Sequence, residues 1–525
     1  MQKKNLGQYF TPDIIVKFMV DLSGKPTESI ILEPSSGKGA FLKELLSRGY
    51  KHIIAYEIDE SIIGDKYDFV RNESFIGSTI NESFDLVIGN PPYVRWKNLS
   101  NIQKAELKKN PIWKAYFNSL SDYLYIFIVK SIELLNEGGE LIFITPDYWL
   151  STTYSQTLRD YMVKNGFFES IINFVETPIF NGVATSTIIF KYIKTVASKP
   201  DKPINIIKFN SQRKLTPKDL ISITNDEYDK RKIHFQKSQF SKNKKWLLIP
   251  DEIENELSIY EKKCSNDSVE LFEEQRNYYH LGDIADIGNG MVSGLDKAFK
   301  IPNGTELTEK EEQVILEVVK AKHMRKYYYE ETEKYFFLNE TVNSELELIE
   351  NYPNFYNLLK PFQPRLLTRY NYQKDLPYWH WAFPRNLALF RKSVPRILIP
   401  CKERISHKNF FRFTFAAPGI FPTQDVTGII LKPFIKESTH FVLAILNSSV
   451  VYDWIKAKGI MKGNIVEFSE RPLSGIPIPM VNWSNSREVI SHNEISNLCQ
   501  SYIQNRNVET LENLGFEVNR FIESK

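Results

Sequence analysis

The sequence predicts a chain in two parts: a doubly wound α/β domain over residues 1–245 and an irregular α+β domain over residues 246–525. Three observations predict it. Short apolar runs alternate with helical patterns between about residues 28 and 192, as strands and helices do in a parallel sheet covered on both faces. The Lys/Pro-rich stretch Lys194–Pro203 and the polar, lysine-rich region up to Lys245 break that alternation. Beyond them turns are frequent, aromatic and basic residues mix, and 525 residues exceed one ordinary domain.

The strands are read, in order, at Ser29–Leu32, His52–Tyr56, Asp85–Ile88, Glu140–Ile144 and Thr187–Tyr192. Ala40–Leu46 and Tyr123–Leu135 are the helical segments between them. Ligands of such sheets bind beyond the carboxyl ends of the strands, so the chemistry is expected just after each run.

The first strand runs into Leu32-Glu33-Pro34-Ser35-Ser36-Gly37-Lys38-Gly39. Glycine lets a backbone turn sharply and approach a ligand closely. The loop is not a phosphate-binding Walker loop, since it lacks the upstream glycine and the Ser/Thr after the lysine. Leu42 stands where a dinucleotide fingerprint has its third glycine. The second strand ends in Ala55-Tyr56-Glu57, 18 residues past Gly39, and a carboxylate there can accept from two ribose hydroxyls. Taken singly, the glycines make a tight turn and Glu57 is a solvated acid. Together, without a pyrophosphate loop, they suit a nucleoside-like cofactor lacking phosphates, of which S-adenosyl-L-methionine is the commonest.

Phe84–Gly89 leads into Asn90-Pro91-Pro92-Tyr93. Alone this is a proline-stiffened turn; at a strand end beside the pocket it has a chemical use. The exocyclic amine of adenine is a poor nucleophile because its lone pair delocalises into the ring. The Asn90 amide oxygen and the Pro91 carbonyl can each accept from that amine, localising the lone pair and stabilising the charge of methyl transfer. The prolines hold the acceptor rigid, and Tyr93 offers a flat face. A base inside a duplex has to leave the stack to reach such a site.

The order of these signals resembles the gamma-class, TaqI-like adenine DNA methyltransferases of restriction–modification systems. Gln8-Tyr9-Phe10-Thr11-Pro12 comes first, then Glu33–Gly39, Glu57, Asn90–Tyr93 and Asp122–Phe127. Gly138-Gly139, Ile144-Thr145-Pro146, and Phe180 ahead of Ala184-Thr185-Ser186 complete it. The match covers about residues 7–192. It implies the class I S-adenosylmethionine-dependent methyltransferase sheet, and a trailing domain that recognises the DNA target. It implies that Thr11 with Pro12 contacts the cofactor's methionine carboxylate. Glu33, Ser35, Gly37 and Gly39 face its methionine part, Glu57 takes the ribose with Ile58 beside it, and Phe75 and Phe127 flank its adenine. Asn90, Pro91, Pro92 and Tyr93 hold the target base, with Phe180 stacking near it. In the family an acid precedes the aromatic equivalent to Phe75. Here that position is Ser74, with Glu73 next door pointing, on an extended strand, to the opposite face.

Net charge is +3, so any nucleic-acid footprint is local. Trp379–Arg412 carries Arg385, Arg391, Lys392, Arg396, Lys402, Arg404, Lys408 and Arg412 against one acid, Glu403, interleaved with Trp379, Trp381, Phe383, Phe390, Phe410 and Phe411. Lys322, Arg325 and Lys326 lead into Tyr327-Tyr328-Tyr329. These clusters are either solvated basic faces or surfaces for DNA phosphates. Double-stranded DNA is the expected partner, with a separate cognate restriction endonuclease beside it. Three scattered cysteines, no leader pattern and no apolar run near ~18 residues point to the cytoplasm, with no disulfides, no metal site and no membrane partner.

Other acceptors pose the same chemical problem. Release-factor glutamine methyltransferases share Asn-Pro-Pro-Tyr but lack a large trailing domain and the Phe10-Thr11-Pro12 motif; RNA adenine methylation is also open. With eight residues ahead of Tyr9, no nuclease module is expected there. A pure DNA-binding protein would have no use for Asn90–Tyr93 and Glu57.

Overall fold

The computed structural model describes residues 10–63, 67–180, 186–196, 201–225, 228–264, 278–370, 376–404, 411–462 and 465–525. Gln8 and Tyr9 of the early motif, Ala184 and Thr185, and Lys408 and Phe410 of the basic segment lie outside the described residues. The chain divides into two compact units, Met1–Glu254 and Asn255–Lys525. The division falls nine residues beyond the expected boundary at 245. Trp246 and Leu248 belong to the first unit's apolar core, Trp246 stacked on Phe240 at 4.6 Å. Lys237 also binds Asp251 at 2.8 Å.

The first unit is built on β1 (Ile30–Glu33), β2 (His52–Tyr56), β3 (Val70–Arg71), β4 (Phe84–Gly89), β5 (Leu135–Pro146), β6 (Gly166–Asn173), β7 (Thr187–Lys194), β8 (Ile204–Phe209) and β9 (Lys232–Lys237). They form one sheet in the order β3-β2-β1-β4-β5-β7-β6-β8-β9. This is the class I S-adenosylmethionine-dependent methyltransferase sheet with two strands added. Alternate residues of each central strand feed separate apolar layers. Leu32, Val87, Leu141 and Phe143 enter one, with the helix Tyr123–Leu134. Ile31, Leu86, Ile88, Ile142 and Ile144 enter the other, with the helices Asp13–Asp21 and Ala40–Ser47. A sheet buried on both faces reads as continuous apolar runs, which is why these strands were visible in the sequence.

Two differences from the sequence reading have physical causes. The sheet is mixed rather than parallel: β7 runs antiparallel to both β5 and β6, and β9 antiparallel to β8. A parallel neighbour needs a crossover connection, and no helix is found between β6 and β7 among the described residues. The sheet also continues through the region taken as a break. Among the described residues β9 is paired on one side only, and edge strands are commonly polar, so Lys232–Lys237 carries no apolar run to betray it.

The second unit is α+β. Ala285–Asn289, Val426–Leu431, Arg396–Pro400 and Thr414–Ala416 form an antiparallel sheet. Ile315–Val319 pairs with Glu333–Phe336 and Ile420–Pro422. Lys402–Arg404 pairs with Ile465–Glu467. The helices Ser486–Asn505 and Val508–Glu523, which the sequence reading did not anticipate, lie toward the carboxyl end. Among the described residues no helix is long and apolar enough to cross a membrane.

Candidate functional site

The chain leaves β1 toward β2 and β3 on one side and returns through β4 to β5 on the other. The strand order therefore reverses between β1 and β4, the place where such sheets bind ligands. The loops after β1, β2 and β4 open there onto a cleft with about 690 Å³ of empty space, partly continuous with solvent.

One end of the cleft is polar. Gly37 (φ 53°) and Gly39 (φ 75°) carry the loop after β1 through the left-handed region, where an L side chain is strained. A Cβ on Gly39 would also lie 2.6 Å from the Tyr67 ring. The Glu57 carboxylate accepts from the Gly37 N–H at 2.7 Å and the Asp59 N–H at 2.9 Å, tying the ends of β1 and β2 together. Burial raises the Glu57 pKa above the ordinary carboxylate value, against the lowering effect of those N–H groups. Glu33 is wholly buried at the base of the loop, and neither carboxylate oxygen has a hydrogen-bond partner among the described residues. Desolvation, then repulsion from Glu57, holds its pKa well above normal. A buried acid without a partner is costly, and a cationic ligand beside it would relieve that cost.

Asn90 follows β4 directly and lines the cleft with Pro92. Its Nδ2 donates to Thr11 Oγ1 at 3.1 Å, fastening the side chain to the segment ahead of the first helix. Ser35 Oγ donates to the Asn90 carbonyl at 3.1 Å, joining the glycine loop to this turn. Thr11 and Pro12 precede the helix Asp13–Asp21, and Phe10 lines the cleft. Pro91 is buried and Tyr93 half-buried against the core. Phe180 lies in the apolar layer with Ile15 and Phe174 and is not part of the cleft wall.

The other end is aromatic. The Phe75 and Phe127 rings both face the cleft, but their centroids are 5.3 Å apart, so they touch. They form one wall, and no ring fits between them; the expectation that they flank an adenine from two sides is corrected to a single stacking surface. Ile58, 50% exposed, faces the same cleft. Glu73 and Ser74 both line it. The alternation argument against Glu73 fails because β3 ends at Arg71 and the chain bends at Glu73 before the turn that begins at Phe75. The Ser74 hydroxyl is engaged with Tyr123 and accepts from the Gly77 N–H at 3.3 Å. Lys130 reaches from the helix Tyr123–Leu134 to the carbonyls of Phe75, Ile76 and Ser78. Burial lowers its pKa to about 8.

Sequence reasoning missed Gln103 and left Tyr123 without a role. Both line the cleft. The pattern Ser100-x-x-Gln103 marks a helix start and was legible, but nothing in it says that Gln103 faces a ligand.

In the second unit the expected DNA contacts separate into two sets. Arg396 is fully buried, its guanidinium donating to the carbonyls of Phe390, Ile420, Lys392 and Val394. It is a structural cation, and its assignment to DNA is corrected. Arg412 is likewise buried against Glu403 at 2.6 Å. Trp379, Trp381, Phe390 and Phe411 are core residues. Arg385 Nε donates to the Gly290 carbonyl at 2.8 Å. Arg391 pairs with Glu340, Lys392 with Asp286, Lys322 with Glu333 and Arg325 with Glu330. Lys402 and Arg404 point outward from one strand with Glu403 turned in, and neither has an ion-pair partner among the described residues. Lys326 is exposed and lies over the Tyr327 ring.

With this geometry in place, the chain's relatives can be compared. Residues 30–180 match the family described as Eco57I restriction-modification methylase. The type II methyltransferase M.HindII of Haemophilus influenzae is 44% identical over 523 residues, which are 99% of this chain and 98% of that protein. The type II methyltransferase M.HincII of the same species is 42% identical over 519 residues, with the same coverage. Among solved structures, the type IIL restriction-modification enzyme MmeI, in complex with DNA, aligns with 98% of this chain and 72% of its own, at a TM-score of 0.60 and 12% identity. At that identity the likeness concerns the fold. Near-full-length similarity above 40%, on the sheet just described, places this chain in the family of type II DNA methyltransferases of restriction–modification systems.

Proposed function

We propose that the chain is a site-specific DNA adenine N6-methyltransferase, acting in the cytoplasm as the modification half of a restriction–modification system beside a separate endonuclease. The observation that carries the reading is the Asn90 turn. Asn90, hydrogen-bonded to Thr11, stands in the cleft wall at the sheet's switch point, and in this reading its amide oxygen and the Pro91 carbonyl are the two acceptors. Those acceptors suit a neutral exocyclic amine, drawing on its N–H bonds as positive charge develops on nitrogen. Tyr93 supplies a face for the extruded base, and extrusion from the duplex is part of the reading.

The residues present fit S-adenosyl-L-methionine, a sulfonium carrying an ammonium group. The orphaned Glu33 carboxylate suits its positive charge, Glu57 its ribose hydroxyls, and the Phe75–Phe127 wall with Ile58 its base. When bound, this cofactor supplies an electrophilic methyl group. The protein's own part is to hold the acceptor amine with Asn90 and Pro91 and to keep Asn90 oriented through Thr11. Target selection is assigned to the second unit, through Lys326, Lys402 and Arg404 as phosphate contacts.

The test is to express the gene in a host free of DNA methylation and to sequence its DNA with single-molecule detection of modified bases. A shared short sequence around N6-methyladenine is expected. Methylcytosine, or unmodified DNA from cells making folded protein, overturns the reading.

A further inference from the structure

The geometry points to Gln103 as the hydrogen-bond donor that reads the base of the cofactor, a specificity-determining residue outside the motifs that define the cleft. The inference rests on the reading of the cleft as a site for an adenosyl cofactor. Gln103 is the third residue of the helix Asn101–Lys109 and is only 7% exposed. Its Oε1 accepts from the Ser100 N–H at 3.0 Å and the Ser100 hydroxyl at 2.9 Å. The oxygen is thereby consumed and the orientation of the amide is set. The Nε2 amine has no partner among the described residues, and the side chain lines the cleft. An amide whose oxygen is held by Ser100 and whose nitrogen borders the cleft without a protein partner among the described residues is a donor placed to meet an acceptor there.

The acceptor's chemistry follows from its neighbours. The helix bearing Gln103 is fastened to the turn behind Phe75: Asn110 Nδ2 donates to the Ile76 carbonyl at 3.0 Å. Gln103 therefore belongs to the aromatic end of the cleft, with Phe75, Phe127 and Tyr123. Glu73, an acceptor, lines the same end. A flat wall edged by one acceptor and one donor complements a base that presents an amine beside a ring nitrogen. Adenine does so, with N6 beside N1 on one edge and beside N7 on the other. Hypoxanthine, with a carbonyl at position 6 and a hydrogen on N1, presents the opposite pattern on the first edge and two acceptors on the second. The pair Glu73 and Gln103 thus restores, from two separate segments, the base recognition that the family places on the residue occupied here by Ser74.

The test is calorimetric titration of the full chain with S-adenosyl-L-homocysteine and with S-inosyl-L-homocysteine. Gln103→Glu is the informative variant, because glutamate at this helix position keeps the capping interaction with Ser100 while replacing the donor by an acceptor. The wild type is expected to prefer the adenosyl ligand. Gln103→Glu is expected to lose about tenfold in affinity for it, the value of one hydrogen bond, and to lose much less for the inosyl ligand, so that the preference narrows. Unchanged affinities, or equal losses for both ligands, overturn the assignment of Gln103 while leaving the cofactor reading intact. A folded wild type that binds neither ligand overturns the cofactor reading itself.

Discussion

The cleft of the first unit and the basic segment of the second are both rich in polar side chains, and they use them differently. Around the cleft, Glu33 is buried at the base of the glycine loop with no partner among the described residues, and Gln103 and Asn90 stand in the wall. In the segment Trp379–Arg412, Arg396 is enclosed by four carbonyls and Arg412 by Glu403 and the carbonyls of Ala321 and Met324. These two guanidiniums spend their terminal nitrogens on carbonyls and a carboxylate, because a buried charge left unmatched is costly, and leave only Nε without a partner among the described residues. At the cleft the Glu33 carboxylate has no such partner among the described residues. Charge composition cannot tell these two settings apart; the number of partners each charged group has can.

The largest effect expected from this contrast is on stability. Arg396→Ala strips donors from four carbonyls and opens a void beside Phe390, and should lower unfolding free energy by about 3–5 kcal/mol. Denaturant titration measures it. A variant as stable as wild type would return Arg396 to the surface and break the comparison.

Asn90→Ala should lower the single-turnover methylation rate by roughly a hundredfold or more, by analogy with the loss of one oxyanion-type contact, while cofactor affinity stays close to wild type. A rate within threefold of wild type would remove Asn90 from the reaction.

Glu57→Ala should weaken cofactor binding by ~1.5–3 kcal/mol for each charge-assisted hydrogen bond lost. The same residue gives a pH dependence. Its pKa lies above the ordinary value in the free protein, and ribose hydroxyls are best accepted by the ionised form. Affinity should therefore be full at neutral pH and fall on acidification, with a midpoint above the usual carboxylate value of about 4.3. Burial that raises a carboxyl's pKa favours its neutral form, so for folding the sign is reversed: Glu57's contribution is fullest in acid and declines as pH rises through its folded pKa. Titrations across pH 4–8 with wild type and Glu57→Gln separate the two. An acid limb that persists unchanged in Glu57→Gln would belong to another group.

The smallest effect sharpens the other side of the comparison. Lys402→Ala and Arg404→Ala, on an exposed strand face, should each leave stability within about 0.5 kcal/mol of wild type. Each should lower the slope of log affinity for DNA against log salt by about 0.9 if it neutralises one phosphate. Unchanged salt slopes in both would move the DNA-binding face elsewhere on the second unit.

How much of this was legible can be seen residue by residue. The apolar runs at Ile30–Glu33, His52–Tyr56 and Phe84–Gly89 announced their strands, and the turns after them announced the cleft. Glycine at positive φ, a strand-end acid and a proline-stiffened asparagine are local chemistry, and local chemistry is written in order along the chain. β3, two residues long, and the polar edge strand β9 had no such signature.

By itself, then, the sequence determined the doubly wound first unit, the strand-end positions of Glu57 and Asn90 on its cleft, and the family. Only the tertiary structure decided which polar groups face the cleft. Gln103 enters it because its helix is pinned to the turn behind Phe75. Glu73 enters it because the chain has already bent after β3. Phe75 and Phe127 make one wall because their rings meet at 5.3 Å. Arg396 leaves the surface because four carbonyls, from residues 390 to 420, converge on it. Each of these depends on contacts between segments far apart in the chain, and the spacing of residues along one segment does not record where another segment comes to rest.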